Sequence, residues 1–296
     1  MHVLRDLGLG DLLVAVPALR LIGRALPDHR LVLHGPAWVH EVPGFPAGVP
    51  DDGAVPDVLV NLHGRGPQSH ERLDALVPDD APVRRIGHDA PGWPGPAWTD
   101  DPHRPERRRW CDLLAATGLV DPATAAAAAD DLRLPPPAAT DPGVTVVHPG
   151  AAFGAKRWPV ERFAAVARAL ADAGHRVVVT GGADDAPVTA AVPGTDLAGR
   201  TGIAELCALV AHARLVVCGD TGISHVATAY GTPSVTLFGP VGPEQWGPPP
   251  GGPHVTLTDA ALRRGDRFAD DPDPALLAVS VDDVLGKIAT LPRVAG

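Results

Sequence analysis

Short aliphatic runs alternate with helical patterns in the first part of the chain. Residues 11–26 place apolar side chains at helical spacing and predict a helix. Such alternation of strands and helices favours a parallel sheet with helices on its faces. Four strands are predicted here: Val3–Leu4, Leu31–Leu33, Val58–Leu62 and Val83–Ile86.

Alanine- and proline-rich stretches then interrupt the pattern. Ala125–Ala129, Pro135–Pro137 and Asp141–Gly143 offer little that could form a core, and the prolines resist regular structure. The alternation restarts afterwards, with strands predicted over 144–147, 177–180, 215–218 and 235–238 and helices over 160–173, 203–213, 223–230 and 281–291.

The division predicts two Rossmann-like α/β domains, residues 1–140 and 141–296, with parallel sheets that face a central cleft. The last helix can pack back on the N-terminal domain. In open parallel sheets, ligands bind at the carboxyl ends of the strands, so functional residues are expected in the loops that follow strands.

Composition excludes several classes of protein. Hydrophobic residues make up 45% of the chain and charged residues 20%, as in globular proteins, and the net charge of −10 argues against a nucleic-acid partner. The basic cluster Arg104–Arg109 is interpreted as a solvated helix face. Cys111, Cys207 and Cys218 have no metal-ligand spacing and are predicted to be buried thiols. With no evident signal peptide or integral membrane segment, we expect a cytoplasmic protein.

The first candidate loop is Gly8-Leu9-Gly10-Asp11, between the first strand and the first helix. It lacks a dinucleotide fingerprint because Leu13 stands where the third glycine is needed. The glycines allow a tight turn that brings Asp11 to the start of the helix. Two interpretations of Asp11 stay open, a helix N-cap and a catalytic base.

A second loop contains His148-Pro149-Gly150 and then Lys156-Arg157-Trp158-Pro159. Two cations before a helix that begins at proline suit a phosphate. Arginine has replaced lysine nearly everywhere, and only Lys156 and Lys287 remain. Lys156 is therefore predicted to contact phosphate.

The most informative loop follows the strand at 215–218. Asp220, Thr221 and Gly222 open a helix, and His225 lies one turn further on. Helix-terminal amides, the hydroxyl and the imidazole can converge on a diphosphate, which a simple cap does not explain. The next strand ends in another glycine turn, at Gly239, which is predicted to line a nucleotide pocket.

A fourth loop, residues 61–70, is polar and glycine-rich and follows a strand of the N-terminal domain. Its candidate acceptor-binding residues are His63, Arg65 and Gln68, together with Gly10 of the first loop. A hydrated surface loop is the alternative interpretation.

These motifs, in this order, resemble glycosyltransferase family 9, the ADP-heptose:lipopolysaccharide heptosyltransferase-like enzymes of GT-B architecture. Together they extend over almost the whole chain. The matching stretches are Leu9-Gly10-Asp11 with Pro17-Ala18-Leu19, His148-Pro149-Gly150-Ala151, Lys156-Arg157-Trp158-Pro159, Asp220-Thr221-Gly222 with His225, and Leu237-Phe238-Gly239-Pro240.

The resemblance implies inverting transfer of a sugar from a nucleotide-sugar donor, best an ADP-heptose, to an acceptor hydroxyl. It implies that Asp11 is the general base, that Lys156 contacts the donor phosphate, and that Asp220, Thr221, Gly222 and His225 hold the diphosphate. The turn 181–185, which contains Gly182, would lie near the nucleoside, where Asp184 or Asp185 could meet the ribose. Gly150 is also expected to contribute to donor binding. No metal or other cofactor is expected. One departure from the family is Val241, where a threonine often follows the Gly-Pro turn.

The arginine-rich composition suggests a GC-rich, actinomycete-like coding sequence, and such bacteria generally lack lipopolysaccharide. The expected acceptor is therefore a soluble small molecule or natural-product intermediate. The alternatives are a transferase for another nucleotide-hexose, a sugar-nucleotide epimerase, a cell-envelope heptosyltransferase, and a non-catalytic nucleotide-sugar-binding protein.

Overall fold

A computed structural model describes residues 1–291 of the chain. Contacts between residues divide the chain into two units. Unit 1 comprises Met1–His40 and Phe45–Leu132, and unit 2 comprises Glu41–Gly44 and the chain from Arg133 onward. The change of unit falls eight residues before the position expected from composition. Leu134 is already buried in unit 2, where its N–H donates to the Ala229 carbonyl at 2.8 Å.

Unit 1 contains the predicted parallel sheet, and its four strands have the order β2-β1-β3-β4. Its strands are β1 His2–Leu4, β2 Val32–His34, β3 Val58–Asn61 and β4 Arg84–Ile86. Its helices are α1 Leu9–Val14, α2 Val16–Ala25, α3 Pro67–Asp74, α4 Glu106–Ala116 and α5 Pro122–Ala128.

Unit 2 is a larger parallel sheet with strand order β10-β9-β8-β5-β6-β7. Its strands are β5 Thr145–His148, β6 Val177–Val179, β7 Thr195–Asp196, β8 Leu215–Gly219, β9 Ser234–Leu237 and β10 His254–Leu257. Its helices are α6 Val160–Asp172, α7 Ala186–Thr189, α8 Ile203–Ala211, α9 Gly222–Tyr230, α10 Pro243–Trp246, α11 Pro274–Leu277 and α12 Val281–Thr290.

The helix predicted over residues 11–26 is divided into α1 and α2, which meet at Ala15. Pro17 lies in the first turn of α2, where its missing N–H costs nothing because that N–H would have no helical partner. A continuous helix would instead need that hydrogen bond. The proline therefore accounts for the break.

The prediction that Ala125–Ala129 contributes little to a core is wrong. Ala125 and Ala129 are both 1% exposed and belong to the core of unit 1. Their small side chains suit the close packing of α5 against α4 and α2. Alanine thus serves here as a contact residue between helices.

The interpretation of Arg104–Arg109 as a solvated helix face is also wrong. Arg109 is 2% exposed, bonds to Glu106 at 3.0 Å and lies over the ring of Trp98. Arg107 is buried too, and its Nε donates to Asp130 at 2.7 Å. Paired carboxylates and an aromatic face let these guanidinium groups enter the interior, which the run of charges alone did not indicate.

Strands β7 and β10 lie at the two edges of the unit 2 sheet and were not predicted. Both are short and incompletely buried, so neither carries the apolar run that marks the central strands. The last helix, α12, packs on α6 and β9 of unit 2 and begins with a capping box formed by Ser280 and Asp283. Its return to the N-terminal domain stays a prediction. All three cysteines are buried free thiols, as predicted.

Candidate functional site

Three loops meet at the carboxyl edge of the unit 2 sheet, because β5, β8 and β9 are adjacent parallel strands. They follow β5 at His148, β8 at Gly219 and β9 at Leu237. His148 and Cys218, which are far apart in the sequence, are thereby placed side by side. The predicted donor-binding residues lie on these loops and on the loop after β6.

Lys156 and Asp220 form an ion pair between two of these loops. The Lys156 Nζ lies 2.7 Å from Asp220 Oδ2 and 3.4 Å from the Asp220 carbonyl oxygen. The Asp220 side chain is only 5% exposed, so its charge needs a partner, whereas Lys156 keeps 22% exposure. The pair therefore holds the Lys156 ammonium group close to the start of α9, whose N-cap, Thr221, directly follows Asp220.

The start of α9 presents polar groups that the protein does not satisfy internally. Thr221 is the N-cap, but its hydroxyl makes no capping bond. The Thr221 Oγ1 is buried and has no hydrogen-bond partner among the described residues. Gly222 is the first residue of the helix, and His225 is buried one turn on, with its ring centroid 6.0 Å from that of Trp246. A helix N-terminus with an unused hydroxyl is suited to an anion.

A cavity of about 430 Å³ opens at the same edge of the sheet. It has the size of a small-molecule site. Of the predicted donor residues, it brings together Gly150, Gly182 and Thr221. The remaining lining residues are His148, Ala151, Ala152, Arg157, Ala183, Asp184 and Asp185.

Glycine at position 150 is required by a close approach of Asp185. A Cβ on Gly150 would lie 2.4 Å from the Asp185 carboxyl carbon. The same carboxylate accepts the Gly182 N–H at 2.9 Å, so it is engaged within its own turn. Of the two aspartates considered for the ribose, Asp184 is the exposed one.

Gly239 does not line this cavity. A Cβ there would lie 3.1 Å from the Ala155 carbonyl oxygen, so this glycine lets the loop after β9 pack against the turn that carries Lys156. Gly239 therefore lies near the backbone of the turn that carries Lys156, and it does not contribute to the cavity wall.

Two cavity residues, His148 and Arg157, were part of the predicted motifs but were not selected as binding residues. The His148 Nδ1 lies 3.0 Å from the Thr180 hydroxyl, and burial lowers the pKa of His148 to about 4. The exposed Arg157 is oriented by its Nε, which donates to the Ala151 carbonyl at 3.0 Å. His148 could have been selected from the sequence because it ends a predicted strand, and ligands bind at the carboxyl ends of parallel strands.

In unit 1, Asp11 lies in the first turn of α1, whose N-cap is Gly8. The N-cap interpretation of Asp11 is therefore wrong. Its carboxylate is 35% exposed and lies 3.5 Å from the guanidinium of Arg5. The role of Asp11 as a base stays a prediction.

Arg5 is the residue of this region that sequence reasoning missed. It is 1% exposed, its Nε donates to the Asp11 carbonyl at 3.0 Å, and its Nη1 donates to the Leu62 carbonyl. The guanidinium stacks over Trp110 at 4.5 Å. Burial lowers the pKa of Arg5, and the carboxylate of Asp11 opposes that shift. Arg5 thereby ties the loops after β1 and β3 together.

The predicted acceptor residues are placed around the same loops. The His63 Nδ1 accepts the Asp6 N–H at 3.2 Å, and burial, reinforced by Arg5, lowers the pKa of His63. Arg65 is exposed and pairs with Asp100 at 3.3 Å. Gly10 is half-buried in α1 and Gln68 is exposed on α3. Their contact with an acceptor stays a prediction.

One group among residues 1–291 has the ligand types and spacing of a metal site. It consists of His2, His34 and Asp51 of unit 1 and includes none of the residues described above.

Solved structures share this fold. The Escherichia coli ADP-heptose lipopolysaccharide heptosyltransferase II superposes with a TM-score of 0.75 at 20% identity, over 97% of each chain. An E. coli heptosyltransferase solved with ADP-2-deoxy-2-fluoro heptose gives a TM-score of 0.65 at 20% identity, over 98% of this chain and 99% of that one. The chain therefore has the predicted GT-B fold.

Sequence comparison identifies the family. The model of glycosyltransferase family 9 (heptosyltransferase) matches residues 108–261, more than half of the chain. The chain belongs to this family. The lipooligosaccharide heptosyltransferase 2 of Haemophilus influenzae is 39% identical over 112 residues, which are 34% of this chain. This match spans about a third of the relative's length, 32%.

Within residues 1–291, none of the helices has both the length and the apolar composition needed to cross a membrane.

The low pKa of His148 predicts that stability falls in acid. A histidine in an unfolded chain has a pKa near 6.5, so below that pH the unfolded state takes up a proton that the folded state accepts only near pH 4. The stabilisation is complete above pH 6.5 and declines by about 1.4 kcal/mol per pH unit as the pH falls towards 4. Urea midpoints at pH 7 and pH 4.5 should therefore differ less for His148→Gln than for the natural protein. The exposed His40→Gln is the control, and an equal effect of both substitutions would contradict the assignment.

Proposed function

We propose that the protein is a glycosyltransferase that moves a sugar from a nucleotide diphosphate donor to an acceptor hydroxyl. The observation that carries this proposal is the Lys156–Asp220 pair beside the unsatisfied Thr221 hydroxyl. A fixed cation, a helix N-terminus and an unused hydroxyl provide three kinds of group that bind a diphosphate.

The same groups can also stabilise the nucleotide diphosphate as it leaves the sugar. As the bond between the anomeric carbon and the diphosphate oxygen breaks, negative charge grows on the leaving nucleotide. Lys156 is held by Asp220 beside the first amides of α9, so we propose that these groups stabilise this charge with little reorganisation. We therefore propose that the transfer needs no divalent metal.

The attacking group is the acceptor hydroxyl, whose oxygen bonds to the anomeric carbon while its proton passes to a base. Asp11 fits this role because its carboxylate is partly exposed, while Arg5 holds its backbone and one side-chain oxygen. A single displacement of this kind inverts the anomeric centre. General base catalysis contributes about 10²- to 10⁴-fold to rate.

For the donor, we propose an ADP-heptose. Support comes from the heptosyltransferases matched in sequence and in fold, one of which was solved with an ADP-heptose analogue. The cavity residues that could meet the nucleoside include the exposed Asp184 and the neutral His148.

For the acceptor, we propose a soluble small molecule without negative charge, reached in the cytoplasm. Unit 1 has twelve arginines and no lysine, against eighteen aspartates and glutamates. The three arginines at the carboxyl edge of its sheet all have carboxylate partners: Arg5 with Asp11, Arg72 with Asp6 and Arg65 with Asp100. A phosphate or carboxylate on the acceptor would compete with these carboxylates and meet an acidic unit.

Nucleotide binding tests the donor site first. ADP should raise the melting temperature more than UDP, GDP or TDP, and the increase should persist in EDTA because Lys156 replaces a metal. Lys156→Ala should weaken ADP binding by about 10- to 100-fold, since a charge-assisted contact contributes about 1.5–3 kcal/mol. Lys287→Ala, the other lysine of the chain, is the matched control. Preference for another nucleotide would refute the donor, and unchanged ADP affinity in Lys156→Ala would refute the phosphate contact.

Substitution of Asp11 tests the base. Asp11→Asn preserves size but cannot accept the proton, so turnover should fall by about 10²- to 10⁴-fold while ADP affinity stays within about twofold. ADP release from ADP-heptose measures turnover, and the exposed Asp28→Asn serves as control. Retained turnover in Asp11→Asn would remove Asp11 from the mechanism.

Three derivatives of one aminocyclitol test the acceptor: the free amine, its N-acetyl form and its anionic N-succinyl form. The first two should accept the sugar, and the third should show kcat/KM lower by about tenfold or more because of like-charge repulsion. Transfer to a lipid A core acceptor with none to the soluble compounds would overturn the acceptor proposal and favour a cell-envelope heptosyltransferase.

A further inference from the structure

Two histidines and an aspartate lie together at the β2 edge of the unit 1 sheet. His2 belongs to β1 and His34 to β2, and Leu4 pairs with His34 in the parallel register. His34 is therefore two positions beyond the partner of His2, so both side chains lie on one face of the sheet. Asp51 comes from the loop before β3. This arrangement is created by strand pairing, since 32 residues separate the two histidines.

The three side chains are close enough to share an ion. The His34 Nε2 and the His2 Nδ1 form a hydrogen bond at 2.8 Å, and the other nitrogen of His2, Nε2, lies 4.0 Å from an Asp51 carboxylate oxygen. Each residue offers a ligand atom, and the three atoms lie within 4.8 Å of one another. Ligands around tetrahedral zinc lie about 3.3 Å apart, as zinc–ligand distances of about 2.0–2.1 Å require.

We propose that His2, His34 and Asp51 form a binding site for a divalent transition metal ion, Zn²⁺ by ligand type. Two imidazole nitrogens and one carboxylate oxygen are zinc ligands, and water can complete a tetrahedron. The three proposed ligands include none of the residues assigned to the proposed transfer reaction.

The enclosure of the site supports this assignment. The His2 side chain is 6% exposed and that of Asp51 is 41% exposed, so an ion can enter from the aspartate side. Asp51 lies in a stretch without helix or strand, where a shift of roughly an ångström can complete the coordination.

The neighbouring charges restrict which groups can be ligands. Both oxygens of Asp52 are engaged, one by Arg30 at 2.6 Å and the other by the Ala54 N–H at 3.2 Å, whereas Asp51 accepts the Gly53 N–H through Oδ1 at 2.9 Å. The Met1 ammonium and Arg72 are the nearby cations that act on the histidines. These cations would repel a bound metal ion, and the carboxylate of Asp51 would offset the charge of that ion.

An ion held by β1, β2 and the loop at Asp51 would bind only the folded state. Zn²⁺ at about 100 times its Kd should therefore raise the melting temperature by about 5–10 °C. The increase should be absent in EDTA.

Calorimetric titration of the untagged, EDTA-dialysed protein with zinc sulfate tests the site. One ion per chain should bind, with affinity reduced at least about tenfold in His34→Ala and in Asp51→Asn. The matched control is His29→Ala, because His29 and Asp57 form an exposed surface pair at 3.0 Å in the same unit. The control should bind zinc like the natural protein, and Co²⁺ in place of zinc should show absorption of tetrahedral intensity.

Three results would overturn the proposal: no binding, natural affinity in Asp51→Asn, or an equal loss in His29→Ala, which would mean adventitious surface binding only. Circular dichroism in EDTA checks that each variant is folded. If His34→Ala does not fold, Asp51→Asn decides, because its side chain is partly exposed and its substitution is isosteric.

Discussion

The buried charge of Asp220 is the constraint on which the carboxyl edge of unit 2 depends. A carboxylate at 5% exposure is tolerated only with a counter-charge, and Lys156 supplies it from the loop after the neighbouring strand. Loss of one partner of such a pair typically costs about 3–5 kcal/mol. The pair therefore couples the stability of this edge to the position of a cation next to the start of α9. Lys156 therefore both stabilises the structure and is suited to bind a diphosphate.

The turn that carries Lys156 is itself held from the other side. The Ala155 N–H donates to the Ala269 carbonyl at 2.8 Å, and the Ala155 carbonyl accepts the Asp273 N–H at 3.1 Å. Gly154 is needed because a Cβ would lie 1.6 Å from the Asp270 carbonyl oxygen. Backbone contacts therefore limit the positions open to the lysine. Such preorganisation is what stabilisation of a leaving group requires, because no energy is then spent on reorientation during the reaction.

In unit 1, a buried cation, Arg5, likewise holds the loops that follow the strands. Arg5 enters the interior because the carbonyls of Asp11 and Leu62 accept its N–H groups and Trp110 covers its face. The planar guanidinium can satisfy several acceptors at once, which a lysine ammonium in the same space would do with less geometric control. As a result, the backbone and one carboxylate oxygen of Asp11 lie next to a fixed charge.

The sequence by itself determined the fold class, the central strands of both units and the motifs of the family, since these depend on local periodicity and on glycine turns. It also indicated Lys156, Thr221 and Gly222, because loops after parallel strands meet at one edge whatever the details of packing. Only the tertiary structure decided which charges are buried. Arg5, Arg107 and Arg109 look like surface residues in a linear chain, and their partners are identified only when distant segments come together. The break at Ala15, the core role of Ala125 and the approach of Asp185 to Gly150 were likewise decided by packing, which depends on neighbours that no local pattern specifies.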